Sequence, residues 1–145
     1  MGNDGWLYEK TLGGKAKEFW WKIDEEYNIL IKRRFAHQKE PLTQKVTSEE
    51  INKLDEYLSD GEWKALSNNV EKLRLGIEKP GIGKFLYDNL KMNETEAQLS
   101  SHLGTIFSNS GAWLYNGKKK NMEFKKNTED WKRLIKEYYD KKLES

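Results

Sequence analysis

Residues 93–126, NETEAQLSSHLGTIFSNSGAWLYNGKKKNMEFKK, decide how the chain is read. Leu99, Leu103, Ile106 and Phe107 recur at helical spacing and form one narrow apolar stripe. Asn93, with Glu96 three residues on, is a capping box, and Gly111 stands where glycine ends a helix cheaply in the left-handed conformation. The period then changes. Ala112-Trp113-Leu114-Tyr115 is a short aromatic run, Asn116-Gly117 is the strongest two-residue hairpin signal, and Asn121-Met122-Glu123-Phe124-Lys125 alternates apolar with polar. Lys118, Lys119 and Lys120 occupy the tip. The spacing predicts one long helix running directly into a β-hairpin with a basic tip.

The segments before it read as three shorter helices. Thr47 and Glu50 make a capping box, Ile51, Leu54 and Leu58 supply an apolar face, and Asp60-Gly61 ends the first. Trp63, Leu66, Val70 and Leu73 share a face of the second, with Gly76 just past its end. After the Pro80-Gly81 turn, Ile82, Phe85, Leu86 and Leu90 mark the third. Asn93 follows Leu90 so closely that the third helix and the long one must pack as neighbours, which is the requirement of a helix-turn-helix. Over residues 48–126 this order of helix, tight turn and hairpin resembles the winged helix-turn-helix superfamily. The resemblance implies DNA binding, with the long helix in the major groove and the hairpin as wing.

The flanks are less patterned. In residues 1–14, Gly2, Gly5, Gly13 and Gly14 argue for loop, with Trp6, Leu7 and Tyr8 as an anchor. Residues 15–36, KAKEFWWKIDEEYNILIKRRFA, read either as a helix or as two strands about an acidic turn at Asp24 to Glu26. Their β-branched and aromatic content favours the hairpin. Residues 37–46 are polar, contain Pro41 and read as a linker. A last helix, capped by Asn127 or Thr128 with Glu129 and Asp130 in its first turn, carries Trp131, Leu134, Ile135 and Tyr138 on one stripe. The expected fold is therefore mainly α with small β. An N-terminal aromatic-rich hairpin and linker (1–46) precedes a winged-helix-like domain (47–127), and a C-terminal helix (128–145) packs on the same core.

Composition bounds the function. The 145 residues are 34% charged and include six Trp, seven Tyr and five Phe, which a disordered chain would lack. There are no cysteines, so disulfides, thiolate metal sites and cysteine nucleophiles are excluded. No run approaches a membrane span and no signal-peptide core stands at the N-terminus, so the expected location is cytoplasmic. The net charge of +2 is small but unevenly spread: residues 48–90 hold six Lys or Arg against nine acids, and residues 91–127 hold six Lys against three. The excess falls on the helix and hairpin, although three lysines at a turn also serve solubility.

At about 100° per residue the long helix carries Ala97, Ser101, Gly104 and Ser108 opposite its apolar stripe, flanked by Gln98 and Thr105. A glycine in mid-helix costs about 1 kcal/mol against alanine, which points to a close approach there by a base edge or by another helix, of this chain or of a dimer mate. For DNA, Gln98, Ser101 and Thr105 would face bases, and Lys118, Lys119, Lys120, Lys125 and Lys126 would meet phosphates. Lys32, Arg33 and Arg34 would add a second backbone contact.

Chemistry has little foothold. Gly81-Ile82-Gly83-Lys84 fails as a phosphate loop because Glu78 and Phe85 stand where glycine and Ser or Thr are needed. Glu123-Phe124-Lys125 has the spacing of a nuclease E-x-K element but no upstream carboxylate to converge with it. His37 and His102 lack paired metal-ligand spacing, and neither has an evident serine partner. The expectation is a cytoplasmic, non-enzymatic double-stranded DNA-binding protein without metal or cofactor, a small bacterial or phage transcription regulator or accessory module. The alternative is a protein-protein interaction module, a homodimer or partner binder acting through the small helix face or through the aromatic segment around Trp20 and Trp21.

Overall fold

Phe19, Trp21 and Ile23 point to one side of strand β2 (Glu18–Ile23) and are buried, while Glu18, Trp20 and Lys22 point to the other. This period of two recurs in β3 (Ile29–Arg33) and joins both strands to β1 (Leu7–Lys10) and β4 (Leu42–Val46) in a four-stranded antiparallel sheet of order β1-β2-β3-β4. The β2–β3 turn is built by Asp24, whose Oδ1 accepts from the backbone N–H groups of Glu26 and Asn28, with Tyr27 in the left-handed region at φ +64°. The computed structural model describes residues 4–34, 39–128 and 130–145.

Helix α1 (Ser48–Tyr57) begins with the Thr47–Glu50 capping box and runs into one 3₁₀ turn at Leu58–Asp60. A short strand β5 (Lys64–Ala65) follows, then α2 (Val70–Leu75), α3 (Ile82–Asp88), α4 (Glu94–Ala97) and α5 (Leu99–Asn109). Strands β6 (Trp113–Tyr115) and β7 (Glu123–Lys126) form the hairpin, and α6 (Trp131–Glu144) closes the chain. β5 pairs with the second hairpin arm, giving a second sheet of order β5-β7-β6.

Both sheets and the helices share one core. At its junction lies Glu9, which is buried yet accepts from Trp21 Nε1 at 2.9 Å, Tyr138 Oη at 2.9 Å and Asn109 Nδ2 at 3.0 Å. A buried carboxylate is tolerable when its lone pairs are filled in this way, and here the three donors come from β2, α6 and α5. Among the described residues no helix is long and apolar enough to cross a membrane.

The structure corrects several expectations. The fold is not mainly α with small β: 40% of the chain is helix and 21% strand, and four of the strands form a sheet of their own. Residues 7–10 are a strand where loop was expected, because the inward Glu9 breaks the apolar alternation. Residues 42–46 are a strand where linker was expected, because β4 lies on the sheet edge and buries Val46 alone. Residues 63–69 are not helical: β5 is extended, Ser67 has φ +46° and Trp63 is 42% exposed, so the helical spacing of Trp63 and Leu66 there is accidental. The long helix divides at Gln98, and α6 is capped by Asp130, whose carboxylate accepts from Arg133 N–H, rather than by Asn127 or Thr128. The readings of His37 and Glu129 lie outside the described residues.

Candidate nucleic-acid interface

Residues 102–107 of α5 are all buried, so no side of this helix is open along its length. The small face faces this chain: a Cβ on Gly104 would lie 2.7 Å from the Phe124 ring, so the glycine admits β7 against the helix. Thr105 is also fully buried and donates to the Ser101 carbonyl at 3.1 Å, which removes it from any solvent contact. The open end of the helix is its first turn and a half, where Gln98 and Ser101 are half-buried.

These two residues lie in a cleft of about 960 Å³ between the four-stranded sheet with its β1–β2 loop and the start of α5. Lys10, Lys15 and Lys17, from the end of β1 and the loop after it, line the cleft with Arg33 and Arg34 from the end of β3. Glu18 is the single acid lining it. Among the described residues Lys10, Lys15, Lys17 and Arg34 form no ion pair. Trp20 stands at one side, and Met122, two residues past the hairpin lysines, at another.

Arg33 holds the two halves of the molecule together beside this cleft. Its Nε donates to Gln44 Oε1 and its Nη2 to the Thr95 carbonyl, both at 2.7 Å, so β3, β4 and α4 are fixed relative to one another. Burial pulls its pKa down to about 10, opposed by the nearby Glu96. His102 is buried against the Phe19 ring, with 4.8 Å between ring centroids, and its Nδ1 lies 3.3 Å from the Gln98 carbonyl. Desolvation, helped by the charge of Arg33, pushes its pKa down to about 3, so the ring is neutral and donates from Nδ1. Asn68 Nδ2 donates to Ser100 Oγ and Ser101 Oγ, each at 3.0 Å. Asn68 is placed by α3: Gly83 N–H bonds the Leu66 carbonyl at 2.6 Å, and a Cβ on Gly83 would meet the same oxygen at 2.7 Å. The Gly81-Ile82-Gly83 sequence thus serves close packing.

The expected contact residues therefore scatter. Gln98, Ser101, Arg33 and Arg34 come together in the cleft. Lys118, Lys119 and Lys120 are exposed on the hairpin loop, which Tyr115 Oη orders by donating to the Lys118 carbonyl at 2.6 Å. Lys125 lies over the Trp63 ring at 5.3 Å, and Lys126 is tied to α1 and the 3₁₀ turn by bonds to Asp55 at 2.9 Å and Ser59 Oγ at 3.0 Å. Lys32 is on the outer sheet face, 4.3 Å from the Trp6 ring. The sequence reading missed Lys10, Lys15, Lys17, Trp20, Asn68 and His102 as neighbours. Its one available signal was three lysines within eight residues around the Gly13-Gly14 pair.

Among the described residues no group of three or more His, Asp or Glu gathers as a metal site. No family model matches the chain, and neither a curated protein nor a solved structure matches it.

Proposed function

We propose that this chain is a cytoplasmic, non-enzymatic nucleic-acid-binding protein whose contact surface is the basic cleft and the adjoining hairpin. One observation carries the reading: five Lys or Arg from the ends of β1 and β3 and the segments after them line one cleft at the start of α5, with Glu18 the single acid in its lining, and four of the five have no ion-pair partner among the described residues. Cations gathered in excess of the acids beside them repel one another and favour a polyanion. Polar side chains able to meet base edges, Gln98, Ser101 and Asn68, lie between them. The winged helix-turn-helix resemblance of residues 48–126 enters through connectivity, because the strand before α2 pairs with the second hairpin arm. Groove reading by Gln98, Ser101 and Thr105 together is not part of the proposal, since Thr105 is buried.

The test is a titration of labelled oligonucleotides, single-stranded and duplex, at two salt concentrations. Micromolar binding that weakens steeply with salt supports the reading, and K15E/K17E/R34E should weaken it at least tenfold and flatten the salt slope. Absence of binding to either form at low salt overturns it. A second reading, an interaction module, is favoured by Leu75 and Ile77, which are 69% and 65% exposed on either side of Gly76. A dimer mass in light scattering that L75S/I77S abolishes would support it.

A further inference from the structure

We infer that the cleft takes an unpaired nucleic-acid strand rather than a duplex, with a base stacked on Trp20. The inference rests on the nucleic-acid reading above and specifies its ligand.

Shape comes first. An element that reads duplex DNA must protrude, because the major groove is about 12 Å wide and the base edges lie at its floor. Here the relation is inverted: Gln98 and Ser101, both half-buried, share with the β1–β2 loop the lining of a concave cleft of about 960 Å³. That volume suits a ligand the size of one or a few nucleotides. Only a strand whose bases are free to splay can present them to such a floor.

The second observation is the outer face of the four-stranded sheet. The strand register sets Tyr8, Trp20, Lys32 and Thr43 in one row across all four strands. The next row holds Lys22, Leu30 and Lys45. Trp20 belongs both to this face and to the cleft wall, so the two surfaces are continuous. Tyr8, 45% exposed, leans on Trp20 with 5.8 Å between ring centroids, and its hydroxyl donates to Glu18 at 2.6 Å, which fixes the ring. Lys22 and Lys32 lie 4.6 Å and 4.3 Å from the Trp6 ring and so carry positive charge on the same face. Aromatic rings that stack any base, set among cations that follow the backbone, are what binding of a single strand without sequence preference requires. The strand would run across the Tyr8–Trp20 row and enter the cleft past Lys10 and Arg34.

The probes are a labelled twelve-nucleotide oligothymidylate and a twelve-base-pair duplex of mixed sequence, read by fluorescence anisotropy at low salt with the full chain. The single strand should bind at least tenfold more tightly. Trp20→Leu keeps apolar bulk but removes the indole face, and it should cost the strand about tenfold while changing duplex affinity less than twofold. Tyr8→Leu, at a more exposed position, should cost several-fold in the same direction, and far-ultraviolet circular dichroism confirms that each variant is folded. Equal or tighter duplex binding overturns the inference and leaves the nucleic-acid reading standing. Strand binding that neither variant alters also overturns it, and binding to neither probe overturns both readings.

Discussion

His102 shows how one residue reports on the junction between the two halves of the molecule. It is enclosed by Phe19 from β2 and by its own helix, with Arg33 beside it, and its pKa is pushed down to about 3 by burial and by that positive charge. In the unfolded chain the same ring protonates near 6.5. Between these values the unfolded state binds more protons, so the stability His102 contributes is complete above pH 6.5 and is lost as the pH falls toward 3. The loss is at most about 1.4 kcal/mol per pH unit for one proton. A pH titration followed by the His102 ring signals in NMR should show no protonation down to pH 4. A midpoint near 6.5 would mean that the ring is solvated and the sheet does not close over α5 as described. The burial of Glu9 explains why β1 was illegible. A charged residue at an inward position hides the alternation by which a strand is recognised.

At the level of elements, what could be read depended on whether local chemistry or a distant neighbour set the conformation. The Thr47–Glu50 and Asn93–Glu96 capping boxes are local and appear where the pattern put them, and the stripe of α6 buries Trp131 and Ile135 as expected but Tyr139 more deeply than Tyr138. The edge strand β4 and the two-residue strand β5 exist through pairing with β3 and β7, and five or two residues carry no periodicity strong enough to announce that. Strand β7 illustrates the consequence for function. Lys125 and Lys126 are adjacent and chemically alike, yet Lys126 forms a bridge to Asp55 of α1 with its side chain 7% exposed, whereas Lys125 lies over Trp63. Lys126→Ala should lower stability by about 2 kcal/mol because it strips a half-buried carboxylate of its partner, while Lys125→Ala should cost under about 1 kcal/mol. Urea unfolding of the two variants separates them. Equal, small effects would show that the Asp55–Lys126 bridge does not hold the second sheet to α1.

For the whole molecule, the candidate site is a product of assembly. Gln98, Ser101, Arg33 and Arg34 were legible as polar and basic residues, and no pattern in the chain said that the β1–β2 loop would line one cleft with them. Lys10 ends a strand that the inward Glu9 hides, Lys15 and Lys17 sit in a glycine-containing loop, and only the assembled fold brings the three to one cleft with Gln98 and Ser101. The net charge of +2 conceals this gathering, since the acids of α1, Glu49, Glu50, Asp55 and Glu56 against Lys53 alone, offset it elsewhere. The central claim is that this cleft is where the protein meets nucleic acid. The most direct measurement is a map of backbone amide shifts on adding an oligonucleotide to isotope-labelled protein. Perturbations concentrated at residues 8–20, 32–34 and 98–102, with smaller ones at 118–122, are the predicted result. Shifts confined to the surface around Leu75 and Ile77, or spread evenly over exposed lysines, would contradict it.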